Sequence, residues 1–112
     1  MEKIRQIHFF KNHFEDFFEK QTEKVKDKID EVLFLITVIE RVPRKFLKHI
    51  EGTNGLYEIR VELGSNIYRI FCCFDEGRLV VLFNGFQKKT QKTPKAEIHK
   101  AEKLKTEYFN EK

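Results

Sequence analysis

Apolar residues early in the chain recur at intervals of three and four, and beyond residue 55 they alternate with polar ones, so helical periodicity gives way to strand periodicity near the middle. Ile4, Ile7, Phe9 and Phe10 open the chain as a short segment whose imperfect alternation suits a first strand. Phe10, Phe14, Phe17 and Phe18 follow helical spacing, and Asn12 with Glu15 three residues later has the form of a capping box, so a helix is expected to begin there. Val25, Ile29, Val32, Leu33, Ile36 and Ile39 form the stripe of a second helical stretch, flanked by Glu23, Lys24, Lys26, Asp27 and Lys28. Spacing alone leaves open whether it continues the first helix or follows a break near Gln21-Thr22. Pro43 lacks an amide donor and disfavours helix in the residue before it, so the stripe should end there, with residues 43–51 as a basic connector.

Gly52-Thr53-Asn54-Gly55 is a turn cluster, and residues 56–63, 67–74 and 79–86 then read as strands, separated by Gly64-Ser65 and Asp75-Glu76-Gly77. They predict an antiparallel meander. A two-residue hairpin turn at Gly64-Ser65 pairs Val61 with Tyr68, Ile59 with Ile70 and Arg60 with Arg69. In that register Tyr57, Ile59, Val61 and Leu63 share an apolar face with their partners, and Glu58, Arg60 and Glu62 lie on the other. For the third strand the longer turn permits two registers of opposite parity, and Val80, Val81, Leu82 and Phe83, all apolar, do not choose between them. Thr93-Pro94 suits an N-cap followed by proline at the first helical position, and Ile98, Ala101, Leu104 and Tyr108 mark a terminal helix. The order strand, helices, three strands, helix predicts an α+β fold with a small antiparallel-rich sheet packed on two N-terminal helices, a C-terminal helix, and the helices on one sheet face.

Composition adds an aromatic-rich core: 12 of the 112 residues are phenylalanine and 40% are hydrophobic, which argues against disorder despite 36% charge and suits one domain spanning residues 1–112. The net charge of +4 is unevenly spread. Residues 1–40 carry 7 basic and 9 acidic side chains, leaving 15 against 9 for the rest, so the later part is basic at a net +6 and attracts polyanions. Cys72 and Cys73 are adjacent and would point to opposite faces of a strand, a poor disulfide framework and too few ligands for zinc. A reduced, intracellular protein with no metal site is the simple expectation. The N-terminus lacks an apolar signal core and no 18-residue apolar run occurs, so no membrane association is expected.

Two arginines directly across a strand pair repel by a fraction of ~1 kcal/mol, so Arg60 opposite Arg69 needs an offset. Glu58 and Glu62 on the same face can neutralise them as an ordinary surface ion pair. Alternatively the two guanidiniums form an anion site on a helix-free face, suited to an RNA phosphate and to the charge that develops there during cleavage. Asn84 can join this face. Phe86, Lys88 and Lys89 leave the sheet edge near Arg69, where a ring can stack a base and lysines, Lys92 included, can hold phosphates, although a Phe at a strand end is commonly core.

The segments Leu56-Tyr57-Glu58-Ile59-Arg60, Tyr68-Arg69-Ile70 and Asn84-Gly85-Phe86-Gln87-Lys88-Lys89-Thr90-Gln91-Lys92-Thr93-Pro94 resemble, in that order, the phage-derived HigB-like branch of the RelE/ParE toxin superfamily. The resemblance extends over nearly the whole chain. It implies a RelE-like fold, encoded beside an antitoxin, expected to be a helix-turn-helix protein, that masks the basic face. It also implies a cytoplasmic mRNA endonuclease acting on the ribosome, by attack of the RNA 2′-hydroxyl on the adjacent phosphate without metal or cofactor. By that resemblance Arg60 and Arg69 grip the scissile phosphate, Lys88 or Lys89 supplies a basic group after the last strand, and Glu58 is a candidate base. The stretch just after the last strand has no His or Tyr; His99 and Tyr108 can approach only from the terminal helix, where Tyr108 falls on the packing stripe. Two other functions stay open: DNA gyrase inhibition on the same scaffold, as in ParE, and non-catalytic RNA binding.

Overall fold

The computed structural model describes residues 2–112. Strand β1 (Gln6–Phe9) leads into helices α1 (His13–Glu19) and α2 (Glu23–Val38), followed by strands β2 (Leu47–His49), β3 (Tyr57–Leu63), β4 (Asn66–Asp75) and β5 (Leu79–Lys88) and helix α3 (Lys95–Glu111). The strands form one sheet in the order β1-β5-β4-β3-β2, antiparallel except for β1, which runs parallel to β5. No described helix is long and apolar enough to cross a membrane.

The helical region breaks where Thr22 begins α2, its hydroxyl accepting from the Val25 amide at 3.4 Å. The capping box at Asn12 does not form: its side chain makes no cap bond, and its carbonyl takes the Asp16 amide instead. Phe10 leaves the stripe assigned to it, because it precedes α1 and packs across the sheet against Phe83 and Tyr108. Pro43 is not what stops α2. The helix ends at Val38, where the Arg5 guanidinium donates to the carbonyls of Ile36, Ile39 and Glu40 at 2.7–3.0 Å and satisfies helix-end acceptors. The connector over residues 43–51 contains β2, whose Leu47, Lys48 and His49 pair with Ile59, Glu58 and Tyr57.

The β3–β4 hairpin has the register expected from its turn: Ile59 faces Ile70, Arg60 faces Arg69 and Val61 faces Tyr68. The β4–β5 pairing chooses its parity through a bulge. Cys72 faces Leu82 but Ile70 faces Gly85, so β5 carries one extra residue and Phe83 and Asn84 together oppose Phe71.

Two cores result. Phe14 and Phe17 of α1 and Val25, Ile29, Val32, Leu33 and Ile36 of α2 pack on Ile59, Val61, Tyr68, Ile70, Cys72, Val80 and Leu82. On the opposite face Ala101, Leu104 and Tyr108 of α3 pack on Phe71, Cys73, Val81 and Phe83, with Phe10 and Leu56. The helices therefore do not share one face. Val81 and Phe83 are apolar because α3 needs a second core, and that face is not helix-free.

Candidate nucleic-acid interface

Alternation puts Glu58, Arg60 and Arg69 on the α3 side of the sheet, the side that carries the apolar core beneath α3. They lie toward the opposite end of the strands from the β4–β5 turn. Arg69 stands between Arg60 on β3 and Phe86 on β5, so the three form one row across the sheet. Both arginines face a single oxygen: Arg60 Nε and Arg69 Nε lie 3.1 and 3.0 Å from Glu58 Oε2. Neither Nε–H is aligned well enough for a hydrogen bond. These are charge contacts at short range, and both Nε atoms are buried from solvent. The neutralisation anticipated from Glu58 and Glu62 is present in part: Glu58 meets both guanidiniums, and Glu62 adds attraction at Arg69.

Burial differs sharply within the trio. Arg69 is 2% exposed and Glu58 8%, whereas the Arg60 side chain is 29% exposed and reaches the Arg44 carbonyl at 3.5 Å. Burial pulls Arg69 below the ordinary arginine range, Glu58 opposes that shift, and Arg60 adds to it. Lys88 is also held below the usual lysine range, first by burial and then by Arg69, with Arg60 and Lys48 adding repulsion and Glu58 opposing it. An anion placed here would relieve that mutual repulsion. Lys48 is the member that sequence reading missed. It enters because β2 sets it beside Glu58, and a strand of three residues leaves too little alternation to detect.

The remaining candidates divide. Phe86 is half-buried and stacks on Phe71 at 5.6 Å, so part of its ring belongs to the α3 core. Lys89 and Lys92 are exposed after β5, where the Thr90 hydroxyl donates to the Lys92 carbonyl and shapes the loop. Asn84 is 2% exposed and its amide donates to Glu97 at 3.1 Å, so it fastens the start of α3 and presents no surface. Pro94, and not Thr93, is the residue capping that helix.

Of the acid/base candidates on α3, Tyr108 does not reach the arginines. Tyr108 donates to Asp75 at 2.6 Å, which raises its pKa to about 12. Asp75 lies six residues along β4 from Arg69, on the order of 20 Å at ~3.3 Å per residue. His99 is exposed on α3 beside Glu102 and Lys103. Cys72 and Cys73 point into opposite cores as free thiols; burial pushes Cys73 up to about 11 and Cys72 higher still, which suits inert packing residues.

A family profile described as phage-derived protein Gp49-like matches residues 16–106. The chain belongs to the Gp49-like family. The match spans the end of α1, all of α2, strands β2 to β5 and most of α3, so the whole cationic site of this Gp49-like chain lies within it. No curated protein matches the chain. Among solved structures, the archaeal RelE–RelB complex from Pyrococcus horikoshii OT3 is similar, with a TM-score of 0.56 and 19% identity over 80% of this chain and 99% of that one. The Gp49-like chain therefore has a RelE-like α+β fold, and the resemblance read from its three segments is borne out in family and fold.

Proposed function

We propose that this protein is the toxin of a toxin–antitoxin pair, and that it cleaves mRNA on the ribosome through the Arg60–Arg69–Lys88 end of its sheet. The observation that carries the reading is the opposed arginine pair, both members facing one Glu58 oxygen, with Arg60 partly exposed and Lys88 beside them. Family and fold agree with it. The partner is a cognate antitoxin, expected to be a helix-turn-helix protein, and the site of action is the cytoplasm.

In the proposed reaction the RNA 2′-oxygen attacks the adjacent phosphorus, the bond to the 5′-oxygen breaks, and a 2′,3′-cyclic phosphate and a 5′-hydroxyl result. A phosphate approaching the cluster meets Arg60, the arginine whose side chain is 29% exposed, and draws it away from Glu58. Glu58 is then released to accept the 2′-hydroxyl proton, while Arg60 and Arg69 stabilise the charge that builds on the phosphorane. Lys88, held below the usual lysine range, is the proton donor to the leaving oxygen. Lys89 and Lys92 hold flanking phosphates, and the exposed part of Phe86 stacks a base. Gyrase inhibition and non-catalytic RNA binding are the competing readings. The second is favoured by one observation: Tyr108 is bound to Asp75 at the other end of β4 from Arg69.

Primer extension on mRNA from cells briefly expressing the protein tests this, comparing wild type with Arg60→Ala and Arg69→Lys. Codon-associated cuts that disappear in Arg60→Ala are expected. Growth arrest without cuts would replace the nuclease reading with gyrase inhibition, and RNA binding without arrest or cuts would leave a non-catalytic binder.

A further inference from the structure

Beside the Arg60 end of the cluster a recess of about 360 Å³ opens between α2, the segment before β2 and the edge of β3, lined by Lys28, Val32, Lys45, Phe46, Arg60 and Glu62. That volume is at the low end of the ~300–1,000 Å³ typical of small-ligand sites. β2 pairs only with residues 57–59 of β3, so the strand edge beyond is open except that the Arg60 amide donates to the Phe46 carbonyl at 2.8 Å. In an antiparallel strand alternate residues turn their N–H and C=O the same way, so those of Glu62 point out of this open edge toward the recess.

We propose that this recess is a nucleotide subsite of the RNA chain, holding the nucleotide next to the phosphate gripped by Arg60 and Arg69; it rests on the RNA-binding reading above. Three elements bring cations to it: Lys28 from α2, Lys45 from the connector and Arg60 from β3. Arg60 belongs to both sites, so a strand leaving the cluster along the β3 edge enters the recess without changing its phosphate contacts. Phe46 is half-buried, with Lys45 Nζ 5.3 Å from its ring centroid, a pairing of ring and cation that suits a stacked base beside a phosphate. The Glu62 carboxylate opposes an anion but accepts from the exocyclic amine of a base, which favours a nucleotide over a bare phosphate. Lys28 also contacts Glu31 at 3.4 Å, an exposed pair that an entering phosphate can displace at little cost. An acidic peptide would use the same lysines; RNA is favoured because the recess continues from the arginine cluster and carries an aromatic ring.

Fluorescence anisotropy with single-stranded RNA of increasing length, and with polyglutamate as an acidic-peptide probe, tests the assignment, using the full chain, the double variant Lys28→Ala/Lys45→Ala, and Phe46→Leu. Both lysines are at least partly exposed, so the double variant should fold with an unchanged denaturation midpoint. The wild type should gain affinity as the RNA becomes long enough to enter the recess. The double variant should bind the shortest binding RNA like wild type, lose about tenfold on longer ones, and show a salt slope shallower by roughly 0.7 per phosphate contact removed. Phe46→Leu should lose affinity for longer RNA with the slope unchanged. Equal binding of long RNA by wild type and double variant overturns the subsite and leaves the arginine cluster standing. Loss confined to polyglutamate overturns it in favour of an acidic peptide. A wild type that binds no RNA of any length overturns the underlying reading itself.

Discussion

Arg60 and Arg69 lie directly opposite each other on β3 and β4 and turn their Nε atoms to the same oxygen of Glu58, at 3.1 and 3.0 Å. Glu58 meets the repulsion across the strand pair first and Glu62 adds attraction at Arg69, while Lys88 and Lys48 beside them bring further positive charge. The two arginines differ in what they hold up, because Arg69 is 2% exposed and Arg60 is not buried.

Removing Arg69 therefore mixes function with folding. Arg69→Ala strands Glu58 beneath the surface and should cost about 3 kcal/mol in urea unfolding, whereas Arg60→Ala should cost less than about 1 kcal/mol and still lose RNA affinity. Replacing both partners, Arg69→Met with Glu58→Gln, should recover much of the first loss. A double variant as unstable as Arg69→Ala would show that packing of the arginine, and not the pairing of charge, holds this row.

Lys88 places function against stability. Burial and the neighbouring Arg69, Arg60 and Lys48 disfavour its charged form, so its folded pKa lies below the ordinary 10.5. A depressed lysine weakens the fold while protonated, and stability is regained only as pH rises through that folded value toward 10.5. At neutral pH Lys88→Met should raise the melting temperature by roughly 1–4 °C while weakening RNA binding. A lower melting temperature would contradict the repulsion.

Gly85 faces α1, where a Cβ would stand 2.6 Å from the Phe17 ring. Gly85→Ala should cost roughly 1–3 kcal/mol by overpacking, read from chemical denaturation, and Phe17→Leu should relieve part of it. If Gly85→Ala alone is neutral, α1 is free to move off β5.

At the far end of the sheet Lys112 and then Tyr108 donate to Asp75 and hold its carboxyl below the ordinary 3.8. A depressed carboxylate contributes stability that is complete above its unfolded pKa and lost as pH falls through the folded one. Wild type should exceed Asp75→Asn in melting temperature at pH 7, and the gap should close as pH drops below about 4. A gap independent of pH would mean that the carboxylate charge does not anchor α3.

The β3–β4 hairpin was legible from residues alone because a two-residue turn and strict alternation are local, and they set which side chains oppose each other without help from the rest of the chain. That sufficed to place Arg60 against Arg69 with Glu58 beside them. Residues 80–83 were apolar at every position, so no pattern within β5 distinguished its faces; the choice came from α1 and α3 demanding a core on each side, with the extra residue at Phe83-Asn84 adjusting the strand between them. The same dependence on distant partners explains Phe10 on the α3 face, Lys48 joining the cluster through β2, and Arg5 closing α2. Local geometry determined the arginine pair. Only long-range packing decided how deeply each arginine is buried and which side chains of other elements stand beside the pair.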